Sequence, residues 1–342
     1  MRRFRWVRVV VVFGLAGALV GVAPGVSAVA GRSRCRATAF VSNAGSGSVS
    51  TIDVTTRTKN PTDIPVGPFP VGLAFTPDGK TAFVTNRGIG VGTGSVSTID
   101  VDTRTKNPTD ITVGETPAGV AVTPDNKTAF VENADSGTVS TIQVKTRTKN
   151  PNDITVGFGA AGLAITPDGK TAFVTNYGSD TVSTIDVKTR TKNPNDIAAG
   201  SAPAGVVITP DGKTAFVTNE ASGTVSTIDV KTRTKNPNDI PVGANPAGVA
   251  VTPDGKSALI ANYGGVTVST IDVKTRTKNP DDITVGSQPF GVAVTSNGKT
   301  ALVSNSGDGT VSTIDLTTRT KNATDIAVGS GPIQVAVTPC RR

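Results

Sequence analysis

The stretch TPDGKTAFVTNYGSDTVSTIDVKTRTKNPNDIAAG, residues 166–200, is one of a series of close copies that runs from Thr38 almost to the C-terminus. Marked by the start of the TAFV run, copies begin at Thr38, Thr81, Thr128, Thr171, Thr214, Ser257 and Thr300, 43 residues apart except for one step of 47. A unit of this size cannot bury its own apolar residues and must stack on its neighbours. With four strand-like stretches per copy, the period predicts the blades of a propeller. Seven copies predict an all-β, seven-bladed β-propeller of four-stranded antiparallel blades, with essentially no helix. The repeat leaves no room for a second core, so residues 31–342 read as a single domain.

One copy shows the order of strands. Residues 162–166 form a short apolar inner strand, and the Pro167-Asp168-Gly169-Lys170 turn leads to a second strand over 171–176. A turn at Tyr177 gives a third strand over 181–187, and a polar connection over 188–195 ends in a fourth over 196–199. Pro65 and Pro241 fall in fourth strands, and proline cannot donate to a ladder, so that strand belongs at the outer edge. Glycine recurs in the first strand at Gly72, Gly119, Gly162, Gly205, Gly248 and Gly291, where crowding around an axis leaves least room for side chains. The ends are out of phase: the first copy starts with its second strand at Thr38, and residues 333–338 are a first strand with no blade of their own. Pairing the two closes the ring and removes its open edges. Cys35 and Cys340 both fall where the other copies have the PDGK turn, which predicts a disulfide across the closure.

Residues 1–30 join a basic start to an apolar run over 9–23 and to Ala28-Val29-Ala30, the pattern of a secretory signal peptide. The expected product is secreted or held at the cell surface, without a membrane span once the leader is cleaved, and monomeric. Four arginines of that segment account for half of the net charge of +8. The chain contains no histidine, which excludes His-dependent triads and His-ligated zinc or haem.

The second strand and its surroundings, Thr166-Pro167-Asp168-Gly169-Lys170-Thr171-Ala172 followed by Phe173-Val174-Thr175-Asn176-Tyr177-Gly178, resemble the YVTN-type β-propeller repeat, with Phe in place of Tyr. The resemblance extends over residues 38–339. It implies a seven-bladed propeller within a broad group that includes lactonase-like enzymes, haem-d1 and quinoprotein domains, and secreted proteins of other roles. Fold likeness alone assigns none of these activities.

Most repeated polar positions read as structure. The asparagines Asn43, Asn86, Asn133, Asn176, Asn219, Asn262 and Asn305 are expected to cap their own turns rather than form a collar at the channel mouth. Asp53, Asp100, Asp186, Asp229, Asp272 and Asp315 share one position, and near-identical surroundings do not separate pKa values as an acid and base require. The recurring TRTK segment makes a basic band on the bottom rim, without the aromatic residues that stack on bases. No nucleic-acid partner is therefore expected. An unknown protein or a cell-envelope polymer is.

Departures from the repeat carry more information. The 47-residue step holds an insertion over residues 87–94, bringing Arg87, Ile89 and Val91 to a top-face loop. Glu115, Glu132 and Glu220, the side chains of Tyr177 and Tyr263, and Phe69, Phe158 and Phe290 also break the pattern on that face. They line a binding mouth or reflect the tolerance of exposed loops. Taken together, the sequence points to an exported, non-catalytic binding module with neither cofactor nor metal. Its alternative is a lactonase-like hydrolase using top-face carboxylates, with room for a divalent metal on Asp, Glu and Asn oxygens.

Overall fold

The structure, a computed structural model, describes residues 37–88 and 93–339. The segment 1–30, Cys35, Ile89, Val91 and Cys340 lie outside the described residues, and with them the expected leader and disulfide. Within the described residues the chain forms seven antiparallel sheets and no helix, one sheet per repeat. This is the expected seven-bladed propeller.

In the fourth blade the inner strand Ala160–Ile165, the second strand Thr171–Asn176 and the third strand Thr181–Asp186 pair in sequence order. The outer strand is split, unlike the single stretch expected. Thr191–Lys192 pairs at the bottom of the third strand and Ile197–Ala198 at its top. Pro194 interrupts the ladder, and side chains replace it. Asn193 Nδ2 donates to Oγ1 of Thr184 at 2.9 Å, Ser183 Oγ donates to Asp196 Oδ1 at 2.8 Å, and Lys192 pairs with Asp196 at 2.7 Å.

Apolar side chains alternate along the strands and meet their counterparts across blade junctions. Phe130 and Val139 of blade three pack with Leu163, Val174 and Ile185 of blade four, and equivalent clusters fill the other six junctions. An eighth cluster lies on the axis. Each blade is thus stabilised by its neighbours, as the period requires.

A hydroxyl relay reinforces five of the junctions. At the residue before each top asparagine, Ser42, Thr85, Thr175, Thr218 and Ser304 donate to an inner-strand carbonyl of the next blade at 2.5–2.7 Å. In four of them, Thr175 excepted, the same hydroxyl accepts an N–H from its own inner strand, as Thr218 does from Gly205 at 2.7 Å and Thr85 from Gly72 at 2.7 Å. The inner-strand register slips there, so the hydroxyl fills the gap in the ladder. Glycine is required at this level: a Cβ on Gly248 would meet the Phe290 carbonyl at 2.4 Å. The relay is missing at Glu132 and Ala261, which occupy the same position in blades three and six.

The ring closes through Pro332–Val337, the inner strand of blade one, which pairs with Thr38–Asn43 (Ala39 opposite Val337, Val41 opposite Val335). Hydrogen bonds continue beyond the ladder at both ends, from Thr338 N to Thr38 O and from Ala44 N to Gly331 O.

Candidate functional site

Immediately after each top asparagine the second strand turns, and its next N–H donates to a carbonyl of the connection arriving from the previous blade, at 2.9–3.1 Å in all seven blades. The backbone is the same seven times while the side chains differ: Ala44, Arg87, Ala134, Tyr177, Glu220, Tyr263 and Ser306. This ring borders the top of the channel. Just inside it, Val71, Ala118, Ala204, Ala247 and Phe290 are buried around the axis, with Tyr177, Tyr263 and Ile333 packed on them. Tyr263 meets Phe290 edge to face, centroids 5.5 Å apart. The mouth therefore has an apolar floor and a polar, unsymmetrical rim.

Beside that floor lies an ionisable group in an unusual setting. Glu132, two residues before the rim position of blade three, is 0% exposed. Its Oε1 accepts the Gly119 N–H at 2.6 Å, and its Oε2 has no hydrogen-bond partner. Burial pushes the carboxyl well above its ordinary value, against the pull of the Gly119 N–H and the Arg87 guanidinium. Arg87, on the rim of the adjacent blade, is itself pushed down by burial and held up by Asp135 and Glu132. The result is a carboxyl held toward its neutral form, with one oxygen uncommitted and the Arg87 charge acting on it.

The other expected site residues divide. Tyr177 and Tyr263 are brought together with the axial floor, and Glu220 is buried on the rim between them in ring order. Glu115 is exposed, paired backbone to backbone with Thr93 at the base of the insertion, and its N–H donates to Ser136 Oγ at 2.9 Å. The three glutamates do not converge into one cluster. Among the described residues no three Asp, Glu or Cys side chains are grouped as metal ligands.

The top asparagines are neither a collar nor simple turn caps. They are at most 1% exposed. Asn176 Nδ2 donates to the hydroxyls of Thr181 and Ser183 on its own third strand, at 3.0 and 2.9 Å, and its Oδ1 accepts the N–H of Gly157 from the preceding blade. A Cβ on Gly157 would meet Asn176 at 2.5 Å, which explains the glycine in that connection. The third-strand aspartates do cap turns: Asp186 Oδ1 accepts from the N–H and hydroxyl of Thr189, and these bonds hold its carboxyl below the usual range.

Asp135 was not foreseen as part of the site. It occupies a position that is glycine in five copies and Ala221 in another, so a charged residue there was a visible departure.

Comparison with known proteins now bears on the activity. A family model described as "Lactonase, 7-bladed beta-propeller" matches residues 36–324. No curated protein matches the sequence. Among solved structures, a candidate 6-phosphogluconolactonase of Bacteroides uniformis is 18% identical, with TM-score 0.77 over 89% of this chain and 100% of that one. The periplasmic gluconolactonase of Pseudomonas aeruginosa is 18% identical, with TM-score 0.73 over 89% and 99%. Kuenenia stuttgartiensis hydrazine synthase is 25% identical, with TM-score 0.70 over 79% and 90%. The family match overturns the expectation of a non-catalytic binding module and favours its alternative, the lactonase-like hydrolase. The burial of Glu132 comes from the packing of strands, and a single sequence shows there only one letter changed. Matched over most of its length, the chain belongs to the seven-bladed β-propeller lactonase family.

Proposed function

We propose that the protein hydrolyses a lactone, the internal ester of a sugar acid, at the top face beside Glu132 and Arg87. The observation that supports this most is the buried Glu132 carboxyl, raised in pKa and set next to a half-buried guanidinium at one of the two blades that lack the hydroxyl relay. Water adds to the lactone carbonyl carbon, the ring C–O bond breaks, and a hydroxy acid leaves. Glu132 accepts the proton of the attacking water and returns it to the departing ring oxygen. A carboxyl whose affinity for the proton is raised by burial suits both transfers better than an ordinary glutamate. Arg87 supplies the positive charge that steadies the anionic carbonyl oxygen in the transition state. The apolar floor of Tyr177, Tyr263 and Phe290 seats the sugar ring and keeps bulk water from its underside.

Export also belongs to this reading: the leader-like residues 1–30 and the periplasmic gluconolactonase among the structural relatives support action outside the cytoplasm. The test is release of acid from glucono-δ-lactone and its 6-phosphate, followed in a pH-stat against the uncatalysed rate. The parent protein is expected to exceed that rate, with Glu132→Gln and Arg87→Ala each lowering kcat/KM by about a hundredfold or more. Full activity in Glu132→Gln would overturn the assignment.

A further inference from the structure

The bottom rim carries a charge asymmetry that lactone hydrolysis does not use. The lysine of every TRTK segment is neutralised within its own blade, from Lys59–Asp63 to Lys321–Asp325, at 2.6–2.8 Å in all seven copies. The arginine is not. All seven arginines sit at the tip of the turn after the third strand, exposed, with φ of 56–58°.

Two residues before the arginine the repeat diverges. Blades three to six have the exposed lysines Lys145, Lys188, Lys231 and Lys274, whereas blades one, two and seven have Thr55, Asp102 and Thr317. In the third-strand turns of blades three to six, eight cations face three aspartates, since Gln143 replaces the fourth, a net of +5. The same turns of blades one, two and seven total −1. The three aspartates of the arc fold back on their own turns, as Asp229 does on the N–H and hydroxyl of Thr232. The cations remain outermost.

Two further observations define the partner. The exposed large apolar residues among those described, Phe69, Phe158 and Val266, all lie in top-face connections, so the bottom arc offers charge without an apolar or aromatic anchor. Insertion into a lipid interface and stacking on bases both require such anchors. Between blades five and six a groove of about 450 Å³ opens beside Arg276, flanked by Asn236, Asn238 and Thr275. The corresponding arginine of blade seven, Arg319, closes its own groove by donating to Thr270 Oγ1 and Asp281 O at 2.9 and 3.1 Å. At the edge of the arc the arginine is spent on the protein; inside it, Arg276 is available.

We propose that the bottom arc of blades three to six docks a linear polymer carrying a phosphate on each repeat, and so tethers the protein with its top face free. Such a polymer follows a curved row of like-spaced cations and is held by charge and counterion release alone.

Long-chain inorganic polyphosphate is the probe, with binding followed by fluorescence anisotropy on the full chain from 50 to 200 mM KCl. Binding is expected to weaken with salt, the log–log slope being about −0.7 per phosphate contacted. The quadruple variant K145E/K188E/K231E/K274E is expected to lose at least about a hundredfold in affinity, with its melting temperature and lactone hydrolysis unchanged. Asp102→Lys, which extends the arc into blade two, is expected to tighten binding about threefold. Loss in the first variant with gain in the second supports the docking arc. Parent-like affinity in the quadruple variant, or no binding by the parent at 50 mM KCl, overturns it. So does tighter binding to phosphatidylglycerol vesicles or to duplex DNA than to polyphosphate.

Discussion

The junction between blades five and six and the junction between blades three and four are built on the same plan and differ at the side chain that reaches the inner strand before the top asparagine. At the first, Thr218 receives the Gly205 N–H and passes its own hydrogen to the Ala247 carbonyl, so the hydroxyl and both backbone groups it bridges are matched. At the second, Glu132 stands in the same place, receives the Gly119 N–H, and leaves Oε2 without a partner. One arrangement spends its polar atoms on holding blades together. The other keeps a carboxyl out of water and holds one oxygen in reserve. In a ring of near-copies, an ionisable group left without a partner for one oxygen in the core marks where stability has been given up, and chemistry is often found at such places.

The sharpest break in this comparison is to convert one junction into the other. Glu132→Thr should rebuild the relay toward blade four and abolish lactone hydrolysis, a loss of about two to four orders of magnitude in kcat/KM. It should also change how stability depends on pH. Because burial raises the Glu132 carboxyl in the folded chain, the unfolded chain loses that proton first as pH rises. Stability attributable to this group is therefore full below the ordinary glutamate range and falls as pH climbs through the raised value. Melting temperatures of the parent should decline across that window, and those of Glu132→Thr should not.

The reverse damage is smaller. Thr218→Val keeps the shape of the side chain but leaves the Gly205 N–H and the Ala247 carbonyl buried without their partner, at a cost of about 1–3 kcal/mol in denaturant unfolding. A cost below the measurement error would mean that the relay is not a source of stability. Blade six offers the gain-of-bond counterpart, since Ala261 lacks the hydroxyl altogether. Ala261→Thr should add roughly 0.5–1.5 kcal/mol, provided the methyl is accommodated, and Ala261→Ser separates the two contributions. Least affected should be Lys192→Ala, which removes a half-exposed ion pair with Asp196 and is expected to cost about 0.2–1 kcal/mol, less at high salt.

The fold was legible because it is written seven times. The 43-residue period, the first-strand glycines and the out-of-phase ends each stated a physical requirement, and the structure meets it: Gly248 faces the Phe290 carbonyl of the next blade, and Pro332–Val337 completes blade one. The split outer strand was less legible. The side-chain bonds of Asn193 and Asp196 that carry the chain past Pro194 join residues up to 13 apart in sequence. The site was legible only as a set of exceptions. Glu132 and Arg87 could be named as departures from the repeat, but their partnership depends on two blades meeting edge to edge, and Asp135 joins them from the turn beyond. Thr175 and Ala261 illustrate the same limit, since the relay appears only when a side chain is seen to reach the following repeat.

The closing strand has a consequence for the order of events during synthesis. Residues 38–43 leave the ribosome before any other strand of the ring and wait, their inner edge bare, until residues 332–337 arrive about three hundred residues later. Every other blade can pair its own strands as soon as it is made. Blade one cannot, so its completion joins residues about three hundred apart and comes after the other six blades have been made. Until then the nascent array is an open spiral with a sticky first strand. A stop codon before Pro332 should therefore yield a chain whose six intact blades have nothing to close against, prone to pairing its edge with another copy.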